Sequence, residues 1–401
     1  MRRGAKMAAG SRRHGGRSVV RFDGAAVRRA RPWTGAAAAC GALALTAALA
    51  ALPWTSRWAA HVDALAFDVQ VRWIRLRGAP ETFRFEPDIA IVGIDAASLH
   101  AIGATRLADR RAVEALGAAL AGIASAGPRV IVIDLAPSAY GADARSALLD
   151  GIAQASAEAP VVLVAERDAS GRFLPPPDDL LEAARHGASP VLGTPLDAID
   201  VDGVARRAPA RVGALPTVAE AVARRLGRAD AADGWIDFTR GAPFAYVPLE
   251  YAARWHRTGD AERLRAVFGD RIVLVGDLLP GAQRVELPLP LANWEPGRRA
   301  PRVVAHAQAL RSLVGAGLVR PAAGWIPVAL AFAFALTAAP ANAMLRWSAL
   351  FVGALAAFVW AAALHAEGRF VPLGHAVIAG VLAAVLRAAL DRRHPGGSAA
   401  R

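Results

Sequence analysis

Four stretches of the chain contain no Asp, Glu, Lys or Arg: residues 32–56, 321–345, 347–366 and 370–386. Nothing else in the sequence restricts the fold so severely. A helix that crosses a bilayer needs roughly 20 mostly apolar residues, and the first three stretches meet that length. The fourth meets it if Arg387 reaches back to the interface along its aliphatic stem and Ala388–Leu390 continue the helix. The last three follow one another closely, and Trp325, Trp347 and Trp360 suit membrane interfaces. The competing reading makes them buried helices of an Ala-rich soluble protein. The first stretch has a second reading of its own, as the apolar region of a signal peptide cleaved near Ala48–Ala51.

A net charge of +13 over 401 residues suggests an anionic polymer as partner, but its distribution does not. Residues 1–34 hold ten bases against Asp23, whereas residues 57–320 hold 31 bases and 31 acids. The large middle segment is neutral, so nothing in the charge points to nucleic acid. The excess describes threading instead. Basic flanks stay inside, which predicts a disordered cytoplasmic leader over 1–34 and a transmembrane helix over 35–56. Residues 57–320 then lie outside, three transmembrane helices occupy 321–390, and residues 391–401 form a cytoplasmic tail. Arg346 falls in an inner turn and Glu367–Arg369 in the outer one. The lipid bilayer is the partner this pattern names.

Lys6 is the only lysine and Cys40 the only cysteine. The rest of the chain therefore has no P-loop or Schiff-base lysine, no Ser–Lys dyad, no internal disulfide and no Cys-based zinc site. The outer segment alternates short apolar runs with helical patterns. The runs are Asp88–Asp95, Arg129–Leu135, Pro160–Glu166 and Arg271–Asp277, as expected of strands buried on both faces of a parallel sheet. The helical patterns cover Asp109–Ala126, Ala144–Ala157, Thr217–Leu226, Leu249–Phe268 and Val303–Val314. Val204–Val212 and Trp235–Thr239 read as two further strands, and Pro175–Pro177 as a loop. The fold class is α/β: a mostly parallel sheet with flanking helices, plus an N-terminal transmembrane helix and a C-terminal three-helix membrane segment.

Four predicted strands end in an acid, Asp95, Asp134, Glu166 and Asp277. Ligands of open α/β sheets bind beyond the carboxyl ends of the strands, and carboxylates gathered there could hold a divalent metal or a cationic ligand. Each acid has a second reading as a helix cap, and Asp95 followed by Ser98 looks like a cap or an Asx-turn. His306 on the last outer helix is a ligand candidate or a packed helix histidine. His365 and His375 flank the outer turn of the membrane hairpin, where imidazoles could respond to pH. There is no H-E-x-x-H and no G-x-S-x-G, so no metal site, catalytic residue or cofactor is implied.

The chain from residue 60 to 320, with the helices that follow, resembles the CHASE2 family of bacterial extracytoplasmic sensor domains. Five segments carry the resemblance in order. They are the lead-in Phe67–Arg72, the I-D-x-x-S-L-x-x-x-G segment Ile94–Gly103, and the D-x-D-G-V-x-R-R turn Asp200–Arg207. The strand Gly269–Gly276 and the helix Val304–Leu310, with its V-H-A-Q-x-L pattern, complete them. Two family pieces are replaced here, W-P-x-R by Ala104–Arg110 and D-x-x-x-T-P by Arg284–Pro288, so a ligand site resting on them is not carried over. Relatives commonly continue into a cyclase, kinase or diguanylate cyclase, whereas this sequence runs about eleven residues past its last predicted membrane helix.

The resemblance implies a non-enzymatic sensor or receptor subunit of the bacterial inner membrane, multi-pass, with residues 57–320 periplasmic. It would detect a small-molecule or envelope signal and pass it to a separate cytoplasmic or membrane output protein. A homodimer is one expected arrangement, with no interface marked in the sequence. Asp95, Ser98, Asp134, Asp277 and His306 are the candidate ligand-binding residues. Two rivals stand beside it: an anchored periplasmic hydrolase with Asp95, Asp134 and Asp277 around a metal, and a scaffold that senses nothing.

Overall fold

A computed structural model describes residues 32–393, apart from 51–52, 79–88, 136–144, 169, 171, 186–191, 197, 229–232 and 341. The basic leader up to residue 31 and the tail beyond 393 lie outside the described residues. A six-stranded parallel sheet organises the domain. Its strands are β1 (Ile89–Ile94), β2 (Val130–Asp134), β3 (Val161–Val164), β4 (Leu192–Gly193), β5 (Val247–Pro248) and β6 (Ile272–Asp277), in the spatial order β5-β1-β6-β2-β3-β4. The four apolar runs read from the sequence are its four central strands. Both faces are covered, so alternate residues of one strand enter different cores. Ile272 and Leu274 pack on one side and Val273 and Val275 on the other. Each such side chain is fully buried, which stabilises by roughly 1.5–3 kcal/mol relative to exposure.

The helices sort by face. The first face holds α4 (Arg110–Ser125), α5 (Arg145–Glu158), α8 (Leu249–Arg257) and α9 (Ala261–Phe268). The opposite face holds α2 (Pro53–Arg77), α7 (Val218–Arg225) and α10 (Arg302–Val314). Short α3 (Ala96–Ile102) and α6 (Asp178–Ala183) complete the domain. α4 and α5 approach so closely that a Cβ on Gly151 would lie 2.5 Å from the Gly117 Cα.

Several expectations are corrected. Leu249–Phe268 is two helices, because Gly259 takes a positive φ of 70° and Asp260 Oδ1 caps α9 by accepting from the Arg263 N–H at 3.1 Å. Val204–Val212 and Trp235–Thr239 are not strands of the sheet. Arg207–Ala208 pairs with Gly234–Trp235, and Arg211–Val212 with Leu215–Pro216, in two-residue antiparallel ladders, and Val204, Ala205 and Trp235 add isolated bridges to Glu286, Ile199 and Val319. The stretch 32–56 divides into α1 (Pro32–Ala50) and the start of α2, with Pro53 at the first helical position.

Three helices follow the domain: α11 (Trp325–Leu336), α12 (Ala343–Ala366) and α13 (Gly374–Arg393). α12 and α13 are long and apolar enough to cross a membrane. α11 has 12 residues, about 18 Å of helix, rather than the span expected from stretch 321–345. Pro340 disfavours helix at the residue before it, and Asn342 caps α12 through Oδ1, which accepts from the Met344 N–H at 2.8 Å. The small side chains Ala39 and Ala42 of α1 pack with Ala335, Ala338 and Ala383. Arg320–Pro321, leaving the domain, pairs in parallel with Arg369–Phe370 of the turn between α12 and α13. At the other end of α12, Arg346 and Arg387 both reach Asp391, at 2.8 and 3.0 Å.

Candidate functional site

The strand order creates a crevice. After β6 the chain passes to α10 on one face, whereas β2 leads to α5 on the other. Neighbouring strands whose connections diverge leave a gap at their carboxyl ends, where open α/β sheets bind ligands. Here the gap is a cleft of about 230 Å3 lined by Asp134, Glu166 and Asp277, with Gln283 and Arg302.

Asp134 is the last residue of β2 and is buried. Arg302, in the first turn of α10, donates to its Oδ1 from Nε at 3.0 Å and Nη2 at 2.5 Å. His306, one turn on, places Nδ1 3.0 Å from Asp134 Oδ2, while its Nε2 accepts from the Leu196 N–H at 2.9 Å. A ring that accepts at Nε2 has its N–H at Nδ1, the atom that faces Asp134. Burial alone would raise the Asp134 carboxyl. The charge of Arg302, its hydrogen bonds and the His306 ring beside the carboxyl outweigh that and hold it well below the usual carboxylate range. Asp277 forms the opposite wall, its Oδ1 accepting from the Leu279 N–H at 2.7 Å. Burial pushes its carboxyl up, and the charge on Asp134 adds to this against the Leu279 N–H, Arg284 and Arg302.

The structure thus joins three of the four strand-end acids and separates the fourth. Asp95 caps α3, Oδ1 accepting from the Ser98 N–H at 2.6 Å and Oδ2 from the Tyr246 hydroxyl at 2.5 Å. Burial opposes its ionisation, but these bonds hold the carboxyl below its ordinary value, and the Tyr246 hydroxyl is pushed up to about 12. Ser98 is buried in that first turn. Neither residue lines the cleft. Among the described residues no three His, Cys, Asp or Glu side chains are grouped to hold a metal ion, so the set Asp95, Asp134 and Asp277 is not assembled around one. The cleft residues missed from sequence are Arg302 and Gln283. Arg302 stood one residue before the predicted last helix, and a first-turn arginine beside a strand-end acid was the available signal.

A second buried cluster unites two of the family-like segments. Arg206 donates to Asp68 (2.7 and 3.1 Å), Asp200 (3.1 Å) and Asp202 (2.8 and 2.7 Å). Burial opposes its charge, yet these carboxylates raise its pKa further above the ordinary arginine value. Asp68 lies on α2 and the others in the Asp200–Arg207 turn, so the cluster fastens α2 to the domain. A family model described as CHASE2 domain matches residues 42–355, most of the chain. No curated protein and no solved structure matches it.

Proposed function

The chain belongs to the CHASE2 domain family, a family of extracytoplasmic sensors, and from that premise we propose that it is a non-catalytic sensor subunit of a bacterial inner membrane. Residues 57–320 take up a periplasmic signal, α1 and α11–α13 anchor the chain, and a separate output protein reads the helices. α10 is the observation that carries this reading. Through Arg302 and His306 it holds Asp134 at the cleft. Farther along, Gln308 Nε2 donates to the Asp237 carbonyl at 2.5 Å, and Ser312 Oγ accepts from the Asp237 N–H at 2.9 Å. The same loop is gripped from α2, where Arg75 Nε donates to the Phe238 carbonyl at 2.6 Å. Gln70 of α2 then meets His365 of α12, Oε1 to Nδ1, at 3.0 Å.

A packed route therefore runs from cleft to apolar helices, and a ligand drives it to the extent that it prefers one arrangement over another. Three carboxylates against one guanidinium favour a small cationic solute. Thermal-shift screening of small amines against the full chain tests the reading, with the double variant Glu166→Gln, Asp277→Asn, which removes cleft carboxylates, as control. The expected result is a stabilising amine that the variant no longer binds; binding that survives the substitutions overturns the cleft as the sensing site. Phosphatase fusions should be active at residue 200 and inactive at residue 401. Activity at 401 overturns the threading.

A further inference from the structure

A larger cavity, about 530 Å3, lies where α2, the domain and the start of α13 meet. Its volume and mostly apolar lining are those of a small-molecule site. Phe67 and Phe370 pack edge to face at 5.4 Å, and Trp235 lies 5.1 Å from Phe370, so the aromatic wall is fixed before any ligand arrives. Charges of both signs face the space. Asp63 of α2 accepts from the Gly374 N–H through Oδ1 at 2.7 Å. Burial pushes its carboxyl up, against the pull of that amide, His375 and Arg207. Arg207 lies over the Trp235 ring at 4.9 Å and pairs through Nε with Asp200 Oδ1 at 3.2 Å, and its side chain stays 57% exposed. Asp200 and, in the first turn of α13, His375 line the space as well. Arg206 also lines the cavity, but its three carboxylates occupy it.

A half-buried carboxylate gains from a cation, and a guanidinium that Asp200 holds at Nε but that stays exposed beyond it gains from an anion. A zwitterion answers both at once, where a simple anion or cation leaves one of them opposed. The rim adds a second constraint. Ile199 and Val201 are 56% and 51% exposed there, beside the end of α13 that the threading assigns to the outer surface. An apolar rim at that level suits the boundary between lipid headgroups and water.

We propose that this cavity binds the ammonium–phosphate zwitterion of phosphoethanolamine, with the ammonium against Asp63 and the phosphate against Arg207 and His375. The unit could arrive as the headgroup of a membrane phospholipid or as a free glycerophosphodiester. Either source bridges α2, the domain and α13. The proposal uses the threading above only to name the leaflet, and the fusion assays judge that separately.

Native mass spectrometry of the full chain, purified in mild detergent and re-exposed to phosphatidylethanolamine or phosphatidylglycerol, tests the lipid source. Calorimetry with glycerophosphoethanolamine tests the soluble one. The expected result is retention of one phosphatidylethanolamine with about tenfold preference over phosphatidylglycerol, the effect of one charge-assisted contact. Asp63→Asn keeps the acceptor for Gly374 and removes the charge; Ala60→Leu fills the cavity and leaves every charge in place. Each should lower retention about tenfold. Arg207→Gln, on an exposed side chain, serves if Asp63→Asn fails to fold. Binding of glycerophosphoethanolamine with no lipid retained assigns the site to the free solute. Equal retention of the two lipids without glycerophosphoethanolamine binding, or affinity unchanged by Ala60→Leu and by the charge variants, overturns the proposal.

Discussion

Arg206 and Arg302 each sit against buried aspartate, one where α2 joins the domain and the other at the carboxyl edge of the sheet. The Arg206 side chain is 1% exposed, and each of its five N–H directions finds a carboxylate oxygen on Asp68, Asp200 or Asp202. The Arg302 side chain is 11% exposed. It gives Nε and Nη2 to Asp134 and turns Nη1 to Gln283 on the cleft wall. The first guanidinium is enclosed by its own protein and acts as a fastener. The second lines a cleft together with the carboxylate it holds. Two similar ion pairs thus differ in setting, one at a joint between elements and the other at a gap between strands.

The contrast can be broken most forcefully at Arg206. Arg206→Met leaves three carboxylates crowded around an apolar side chain. Breaking a buried pair from one side should cost about 3–5 kcal/mol, read as a lowered midpoint in chemical denaturation of the full chain. Adding Asp68→Asn should recover part of that loss. At the cleft the cost should be smaller. Asp134→Asn keeps an acceptor for Arg302, which can also turn to cleft water, and the expected loss is roughly 1–3 kcal/mol.

The pH dependence sharpens the difference. Because the folded Asp134 carboxyl sits below its unfolded value, its stabilisation is complete above roughly pH 4 and drains away as the pH falls toward the folded value. Asp134→Asn should remove that acid limb from a plot of stability against pH. The smallest effect is expected at Asp277, whose folded carboxyl sits above its unfolded value. Ionised Asp277 therefore costs stability at neutral pH, and Asp277→Asn should gain a few tenths of a kcal/mol there after solvent screening. The gain should vanish below roughly pH 4, where Asp277 is protonated in both states. A loss at neutral pH would contradict the raised carboxyl.

The central strands were legible because a strand buried on both faces must be apolar at every position, as Ile89–Ile94 and Ile272–Asp277 nearly are. The insertion of β6 between β1 and β2 was not, since strand order is a long-range choice that no local pattern records. α2 was hidden by its charges. Asp63, Asp68 and Arg75 look like a solvated surface until their partners arrive from Gly374, Arg206 and the Phe238 carbonyl. The site was half legible. Strand-end position selected Asp134 and Asp277, but it selected Asp95 equally; Ser98 already marked that acid as a cap, as it is, while its Tyr246 partner was invisible. The Asp200–Arg207 segment was visible as a family-like motif. Its meaning as an ion cluster required Asp68, more than 130 residues away in sequence.

The two-residue pairing of Arg320–Pro321 with Arg369–Phe370 has a mechanical consequence. It closes α11 and α12 into a ring whose clasp lies at the domain's exit. A clasp of two backbone pairs offers little resistance to torque about its own axis. Sliding α12 lengthwise against the domain would open it, whereas swinging the far end of α12, where Arg346 meets Asp391, would not. Motion of the domain should therefore reach the other end of these helices as a lateral sweep, on a lever of 24 residues, about 36 Å long.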